Sequence, residues 1–143
     1  MKAKCFSVRP ADWGADAPLL RAVREAVFMI EQRVPADLEW DGLDPDCAHA
    51  LALSARGEAI GTARLTPDGH IGRMAVLAAW RGQGVGQALL EAMLTEARAR
   101  GYAQVALNAQ IHAEGFYQRF GFARQGDEFP DAGIPHVRMT LGL

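Results

Sequence analysis

Hydrophobic residues recur along the chain at two different spacings, and the spacing changes from one segment to the next. Apolar positions three and four residues apart predict amphipathic helices. The predicted helices are Ala17–Gln32, Gly84–Arg100 and His112–Phe120. Pro35 ends the first helix, and Gly101 and Gly121 follow the other two, as glycine often does after a helix. On the first helix the predicted buried face carries Leu19, Leu20, Val23, Ala26, Val27 and Ile30.

Between and around these helices, short apolar or alternating segments predict β-strands. The predicted strands are Cys5–Val8, Ala48–Ala55, Ala59–Leu65, Ile71–Leu77, Val105–Leu107 and Val137–Leu143. Arg56-Gly57-Glu58 joins the second and third strands as a hairpin. The segment from Ile71 to Leu107 contains a predicted strand, a helix and a second strand. A helical crossover of this kind favours parallel pairing of the two strands.

The order β-α-β-β-β-α-β-α-β predicts an α+β (mixed α/β) fold, with one central sheet and helices on both faces. A length of 143 residues predicts a single domain over residues 1–143. The net charge of −2 argues against a nucleic-acid partner, and no apolar run is long enough to span a membrane. The first ten residues lack the apolar core of a signal peptide, so we expect a cytoplasmic location.

The most informative segment is a glycine-rich turn between a predicted strand and a predicted helix. Gly82, Gly84 and Gly86 alternate there, directly before the apolar helical positions. Glycine removes side chains that would keep a ligand away from the main chain, and the first amides of a helix lack internal partners. The turn therefore predicts a binding site for a phosphate or diphosphate. The alternative is a tight strand-to-helix connection that needs glycine only for packing.

Two other phosphate-binding motifs do not match this turn. A P-loop requires Lys followed by Ser or Thr after its last glycine, whereas Gln87 and Ala88 follow Gly86. A dinucleotide fingerprint requires a third glycine at Gln87, and the strand after the helix runs into Asn108 instead of an acid.

The turn and a second segment together resemble the GNAT superfamily of N-acetyltransferases. Arg81-Gly-Gln-Gly-Val-Gly86 is similar to that family's acetyl-CoA motif, and Leu107–Ala113 with Phe116–Phe122 is similar to its closing strand and helix. Glu31-Gln-Arg-Val-Pro35 and Ala132-Gly-Ile-Pro-His136 further resemble a small bacterial branch, the ElaA/YjcF-like proteins.

The resemblance implies acetyl-CoA as the cofactor and acetyl donor. The residues it implies for cofactor binding are Met74, Ala75, Val76, Arg81, Gly82, Gln83, Gly84, Val85, Gly86, Gln87 and Asn108. Amides from Gly82 to Gln87 would hold the diphosphate, and the main chain of Met74 to Val76 would pair with the pantetheine arm. Tyr117 would lie near the sulfur.

Acetyl transfer to an amine requires a proton donor for the leaving thiolate and a base for the amine. Tyr117 is the predicted donor; the alternative is a core aromatic residue with a hydrogen-bonded hydroxyl. Four residues are candidate bases: Glu31, Glu39, His112 and His136. The acidic loop Asp37–Asp46 either attracts a cationic amine or is simply solvated, and Trp40 within it either faces the substrate or anchors the loop.

The expected acceptor is an amine on a small molecule, a peptide or a protein. No metal is expected, because His49, His70, His112 and His136 show no paired ligand spacing. The alternating final strand allows a homodimer formed by strand pairing. The rival function is a non-catalytic acyl-CoA-binding sensor or partner module with the same fold.

Overall fold

The fold mixes strands and helices in the predicted order, and the predicted α+β architecture is confirmed. The computed structural model describes residues 5–143. Its strands are β1 (Phe6–Ala11), β2 (Ala48–Ser54), β3 (Ala59–Leu65), β4 (Ile71–Val76), β5 (Gln104–Gln110), β6 (Ala123–Arg124), β7 (Phe129–Asp131) and β8 (Ile134–Gly142). Its α-helices are α1 (Trp13–Arg24), α2 (Ala36–Glu39), α3 (Val85–Ala99) and α4 (Glu114–Gln118).

The strands form two antiparallel sheets instead of one continuous sheet. The first has the order β1-β2-β3-β4; in the second, β8 pairs with β5 and also with β6 and β7. The predicted parallel contact between β4 and β5 is present only as a bridge between His70 and Ala106. Beyond that bridge the two strands are no longer paired with each other, so each contributes an open edge to the space between them.

The first helix changes its geometry partway along. Asp12 caps α1 by accepting a hydrogen bond from the Ala15 amide at 3.0 Å. From Glu25 to Glu31 the chain continues as a π-helix, which has more residues per turn than an α-helix. The wider turn rotates later side chains away from the face set by 3.6-residue spacing. Ile30, predicted to be buried, is therefore 75% exposed.

Helices α1 and α3 cover opposite faces of the first sheet. Helix α3 packs on the main core, and Gly61 of β3 lies beneath it: a Cβ atom there would come within 2.9 Å of Leu89. On the other side, Val23 and Val27 form a separate cluster with Ala75 of β4. Glycine at position 61 is therefore what lets α3 approach the sheet closely.

The final strand is internal to its sheet. Along β8, residues from His136 to Gly142 pair with β5, and the opposite edge pairs with β7 and β6. One edge of β8 is thus occupied by β5 and parts of the other by β6 and β7, which leaves little of this strand for pairing with a second copy; a homodimer stays a prediction. The short strands β6 and β7 were not predicted, because two or three residues carry no visible alternation.

Candidate active site

A cleft of about 760 Å³ lies between β4 and β5, where the two sheets separate. The predicted site residues that line it are Glu31, Met74, Ala75, Val76, Arg81, Asn108, Tyr117 and His136. The other two candidate bases, Glu39 and His112, line it as well. The residues from Gly82 to Gln87 are not among its lining residues. The structure thus collects most predicted side chains in one place, next to the glycine-rich turn.

Strand β4 forms one wall of the cleft and contains a bulge at its centre. The register against β3 shifts between Thr62 and Arg64, and Arg73 adopts a positive φ of 49°. That backbone conformation is unfavourable for a side chain with a Cβ, and such strain is concentrated at functional sites. Thr62 Oγ1 holds the bulge by donating a hydrogen bond to the Arg73 carbonyl at 3.1 Å. The main chain of Met74 to Val76 follows the bulge, on the edge of the sheet.

The glycine-rich turn has the geometry expected of an open anion site. Gly82 and Gly84 have φ values of 76° and 88°, and Gly84 is the N-cap residue of α3. A Cβ atom at either position would meet nothing within 4 Å, so the space above the turn is empty of protein. A Cβ on Gly86 would lie 4.0 Å from Val76, which places the turn beside the end of β4. These features fit a diphosphate held by main-chain amides.

Tyr117 reaches into the cleft from α4. Its hydroxyl lies 3.6 Å from the sulfur of Met74, and its ring packs edge-on against Phe116 and Phe122. Burial raises the pKa of Tyr117 to about 12. The phenol is therefore protonated at neutral pH and is available as a hydrogen-bond donor.

His136 is a buried residue on β8 with one ring nitrogen already in use. Its Nδ1 lies 2.6 Å from the carbonyl oxygen of Ile134, and the ring stacks on Phe129. Because a carbonyl only accepts, Nδ1 carries the hydrogen, which leaves Nε2 as the acceptor in the neutral ring. A histidine fixed in this tautomer is suited to removing a proton.

Glu31 is held by Arg81 in a two-pronged ion pair. Arg81 Nη1 and Nη2 donate to the two carboxylate oxygens at 2.7 and 2.6 Å, and Arg81 Nε donates to the Val76 carbonyl at 3.0 Å. The hydrogen bonds from Arg81 lower the pKa of Glu31. A carboxylate with a lowered pKa and both oxygens engaged is poorly suited to act as a base.

The acidic loop is anchored by a network of buried ion pairs. Its acids Glu39, Asp41 and Asp44 meet three arginines from other elements, Arg24, Arg64 and Arg73. Three of the five acids in the loop are therefore paired with cations and not simply solvated, and these cations offset the field of those three acids. Trp40 lies outside the cleft lining, with the Arg24 guanidinium 4.9 Å from its ring centroid, as a loop anchor would.

Within this network Glu39 is also engaged. Its Oε2 accepts a hydrogen bond from Arg24 Nε at 2.6 Å. Burial raises the pKa of Glu39, and the charges of Arg73 and Arg24 act in the opposite direction. Glu39 faces the cleft, but its carboxylate is held by a structural partner.

Sequence reasoning missed a polar pair and a charged residue in the cleft. The amides of Gln32 and Gln110 exchange hydrogen bonds of 2.9 and 3.3 Å, joining the end of the π-helix to the end of β5. Arg73 lines the wall of β4. The only signal for Arg73 was its position as a charge within an apolar strand, and nothing in the sequence indicated its positive φ.

The described part of the chain, residues 5–143, offers no cluster of metal ligands. No group of three His, Cys, Asp or Glu side chains in that range is arranged to hold a metal ion. No helix in the same range is both long and apolar enough to cross a membrane.

Comparison with known proteins gives the same family throughout. Residues 23–143 match the model of the acetyltransferase (GNAT) domain. The chain is 37% identical to the uncharacterized N-acetyltransferase YjcF of Bacillus subtilis, over 82% of this chain and 86% of YjcF. It is 35% identical to the protein ElaA of Escherichia coli, over 85% of this chain and 84% of ElaA.

Solved structures agree with the sequence relatives. The crystal structure of Escherichia coli ElaA superposes with a TM-score of 0.84 at 30% identity, covering 94% of this chain and 98% of that one. An acyl-CoA N-acyltransferase from Pseudomonas aeruginosa gives the same score and identity, covering 95% and 99%. A GNAT family acetyltransferase from Elizabethkingia anophelis with acetyl-CoA bound shares the fold, with a TM-score of 0.66 at 18% identity over 96% and 98% of the two chains. The chain belongs to the GNAT acetyltransferase family, with ElaA and YjcF among its homologues.

Proposed function

We propose that this protein is an N-acetyltransferase that moves the acetyl group of acetyl-CoA to an amine by direct attack within a ternary complex. The supporting observation is the open edge of β4 beside the glycine-rich turn, with Tyr117 and His136 lining the same cleft. The family supports acyl transfer, and the Elizabethkingia relative of the same fold binds acetyl-CoA.

The residues divide into a binding part and a reacting part. We assign the diphosphate to the main-chain amides of Gly82 to Gln87, and the pantetheine arm to the edge formed by Met74, Ala75 and Val76. Asn108, half-buried on the facing strand β5, lies where it can contact the same arm. Acetyl-CoA supplies the activated acetyl group. Bound in this way, its reacting end would be held in the cleft, which would raise the effective concentration of the thioester.

The proposed reaction forms one bond and breaks another. His136 Nε2 would remove a proton from the ammonium form of the acceptor, which leaves a neutral amine able to attack the thioester carbonyl. Main-chain N–H groups after the Arg73 bulge would stabilise the negative oxygen that develops. As the carbon–sulfur bond breaks, the Tyr117 hydroxyl would donate a hydrogen bond to the leaving sulfur, and the second proton lost by the attacking nitrogen would pass to that thiolate to give the CoA thiol.

We assign proton removal to His136 and not to the carboxylates, because guanidinium groups already engage Glu31 and Glu39. His112 is exposed at the edge of the cleft, and within residues 5–143 no side-chain hydrogen bond orients its ring. We therefore give His112 no role in proton removal.

The acceptor belongs to the class of amines, on a small molecule, a peptide or a protein. We propose one acetyltransferase domain over residues 1–143, and the cytoplasm as its location, since Cys5 and Cys47 are both free thiols.

The direct test is release of CoA thiol from acetyl-CoA across a panel of small amines and peptides. A second measurement is thermal unfolding with and without acetyl-CoA. A ligand present at 100 times its Kd raises the free energy of unfolding by about 2.7 kcal/mol, because it binds only the folded protein. We expect both a stabilisation and amine-dependent thiol release. Stabilisation without release over the whole panel would favour the acyl-CoA sensor, and the absence of both would overturn the assignment.

A further inference from the structure

The guanidinium of Arg81 connects three parts of the site. Its Nε holds the Val76 carbonyl at the end of β4, and its two terminal nitrogens hold Glu31 at the end of the π-helix. The next residue along the chain is Gly82, the first glycine of the turn assigned to the diphosphate. One side chain therefore lies at the meeting point of the cleft wall, the π-helix and the phosphate-binding turn.

The ion pair between Arg81 and Glu31 is well formed but accessible. The geometry is bidentate at 2.6 and 2.7 Å, while both side chains are 43% exposed. Exposed ion pairs contribute little net free energy, because water and salt compete with the partner. Glu31 is thus a partner that a stronger anion can replace without a large cost.

A diphosphate is such an anion. It carries more charge than one carboxylate, and the planar fork of arginine binds phosphate oxygens in the same two-pronged manner as carboxylate oxygens. Removing Glu31 from the guanidinium also leaves its carboxylate free on the wall of the cleft, beside Gln32 and Phe28.

We propose that Glu31 is an exchangeable partner of Arg81, which holds the guanidinium in place until the cofactor diphosphate displaces it. The exchange makes cofactor binding the step that frees the Glu31 carboxylate for the cationic acceptor. This inference rests on the proposed function, because it requires a CoA diphosphate at the turn. It predicts that loss of the Glu31 charge tightens cofactor binding, since the diphosphate then has no competitor.

The test measures CoA affinity by calorimetry in the wild type and in Glu31→Gln. We expect the Kd of Glu31→Gln to fall by about threefold, the size of one exposed ion pair. Glu96→Gln is the matched control: Glu96 forms an exposed ion pair with Arg100 at 2.8 Å on the far part of α3, so the same charge is removed elsewhere. Its Kd should equal that of the wild type.

Two further measurements separate exchange from a general electrostatic effect. In an Arg81→Gln background, adding Glu31→Gln should leave the Kd of CoA unchanged, since no guanidinium remains to compete for. Pantetheine, which lacks the diphosphate, should bind Glu31→Gln and the wild type equally.

A weaker or unchanged affinity of Glu31→Gln for CoA would overturn the exchange and leave Glu31 as a structural partner. An equal gain in the Arg81→Gln background would overturn it too, since the effect would then be through space. If the wild-type protein binds no CoA at all, the result would instead contradict the proposed function.

Discussion

At the scale of single residues, the chemistry of the site depends on two side chains with different environments. Burial raises the pKa of Tyr117 to about 12, while a free thiol has a pKa near 8.5. Full proton transfer from this phenol to a thiolate would therefore be uphill by about 5 kcal/mol. Donation of a hydrogen bond to the sulfur as its charge develops carries no such cost, and we assign that role to Tyr117.

The first prediction concerns Tyr117→Phe. The substitution removes the hydroxyl and keeps the ring that packs against Phe116 and Phe122. We expect turnover to fall roughly tenfold or more, because the leaving sulfur loses its donor. Steady-state kinetics measure this, and CoA affinity serves as the control and should stay the same. Unchanged turnover would remove Tyr117 from the mechanism.

The second prediction concerns His136→Gln, which keeps a polar side chain but has no basic nitrogen. We expect turnover at neutral pH to fall by roughly 100-fold, within the usual range for loss of a general base. The deficit should shrink as the pH approaches the pKa of the acceptor, since the amine then arrives already neutral. A deficit of constant size across the pH range would assign His136 a structural role.

The sequence predicted most of the site residues, but it did not predict which side chains they pair with. Tyr117 and the three glycines were identified by their motif positions, and His136 as a histidine that precedes the final strand. The structure brings Tyr117 and His136 to one cleft. Glu31 was a candidate base because it lies at the end of the first predicted helix, which in the family's fold borders the substrate side. Its pairing with Arg81, 50 residues away, depends on the tertiary fold and left no local pattern.

At the scale of elements, the loop after the first helix is fixed by charge. Asp44 is 3% exposed and accepts hydrogen bonds from Arg24 at 2.7 Å and from Arg64 at 3.1 Å. Asp41 also accepts a hydrogen bond from Arg64. Burial raises the pKa of Asp41, but its hydrogen bonds and the nearby arginine charges together outweigh burial, and the pKa is lowered to about 2. The network fastens the segment that carries Glu39 against the strand that carries Arg73, and so shapes one side of the cleft.

The third prediction tests this network by Asp44→Ala. Removing the shared acid takes one buried carboxylate from two buried guanidinium groups at once and leaves Arg24 with Glu39 and Arg64 with Asp41, so we expect a loss of about 3–5 kcal/mol in the free energy of unfolding. Urea unfolding measures it. Asp37→Ala is the matched control, since Asp37 is an exposed acid of the same loop, and its effect should stay within about 0.5 kcal/mol. Equal effects of the two variants would show that the network contributes nothing specific.

Helices and strands with clean periodicity were predicted to within a few residues, and the irregular elements were not. The hairpin of β2 and β3 and the helix α3 agree with the pattern, because local sequence and burial act together there. The π-helix from Glu25 to Glu31 has apolar residues at spacings that also fit an α-helix, so the pattern placed Ile30 on the wrong face. The bulge at Arg73 is imposed by pairing with β3, which no local signal encodes.

At the scale of the whole molecule, the site exists because two sheets meet and then separate. The bridge between His70 and Ala106 joins them, and the cleft opens beyond it between β4 and β5. The sequence predicted a parallel strand-helix-strand unit but not its separation, because tertiary packing decides over what length two parallel strands stay paired. The same separation leaves the edge of β4 unpaired next to the glycine-rich turn, which is where an extended, amide-bearing ligand can bind.

The most direct test of the account is CoA binding by calorimetry to the wild type, Gly84→Asn and Gly84→Asp. Gly84 has a φ of 88°, and its Cβ would enter open space. Asn tolerates left-handed backbone better than most residues and matches Asp in shape, so the pair isolates charge beside the diphosphate. We predict measurable binding by the wild type and Gly84→Asn, and none by Gly84→Asp. Equal binding by Gly84→Asp and Gly84→Asn would contradict the placement of the diphosphate at this turn.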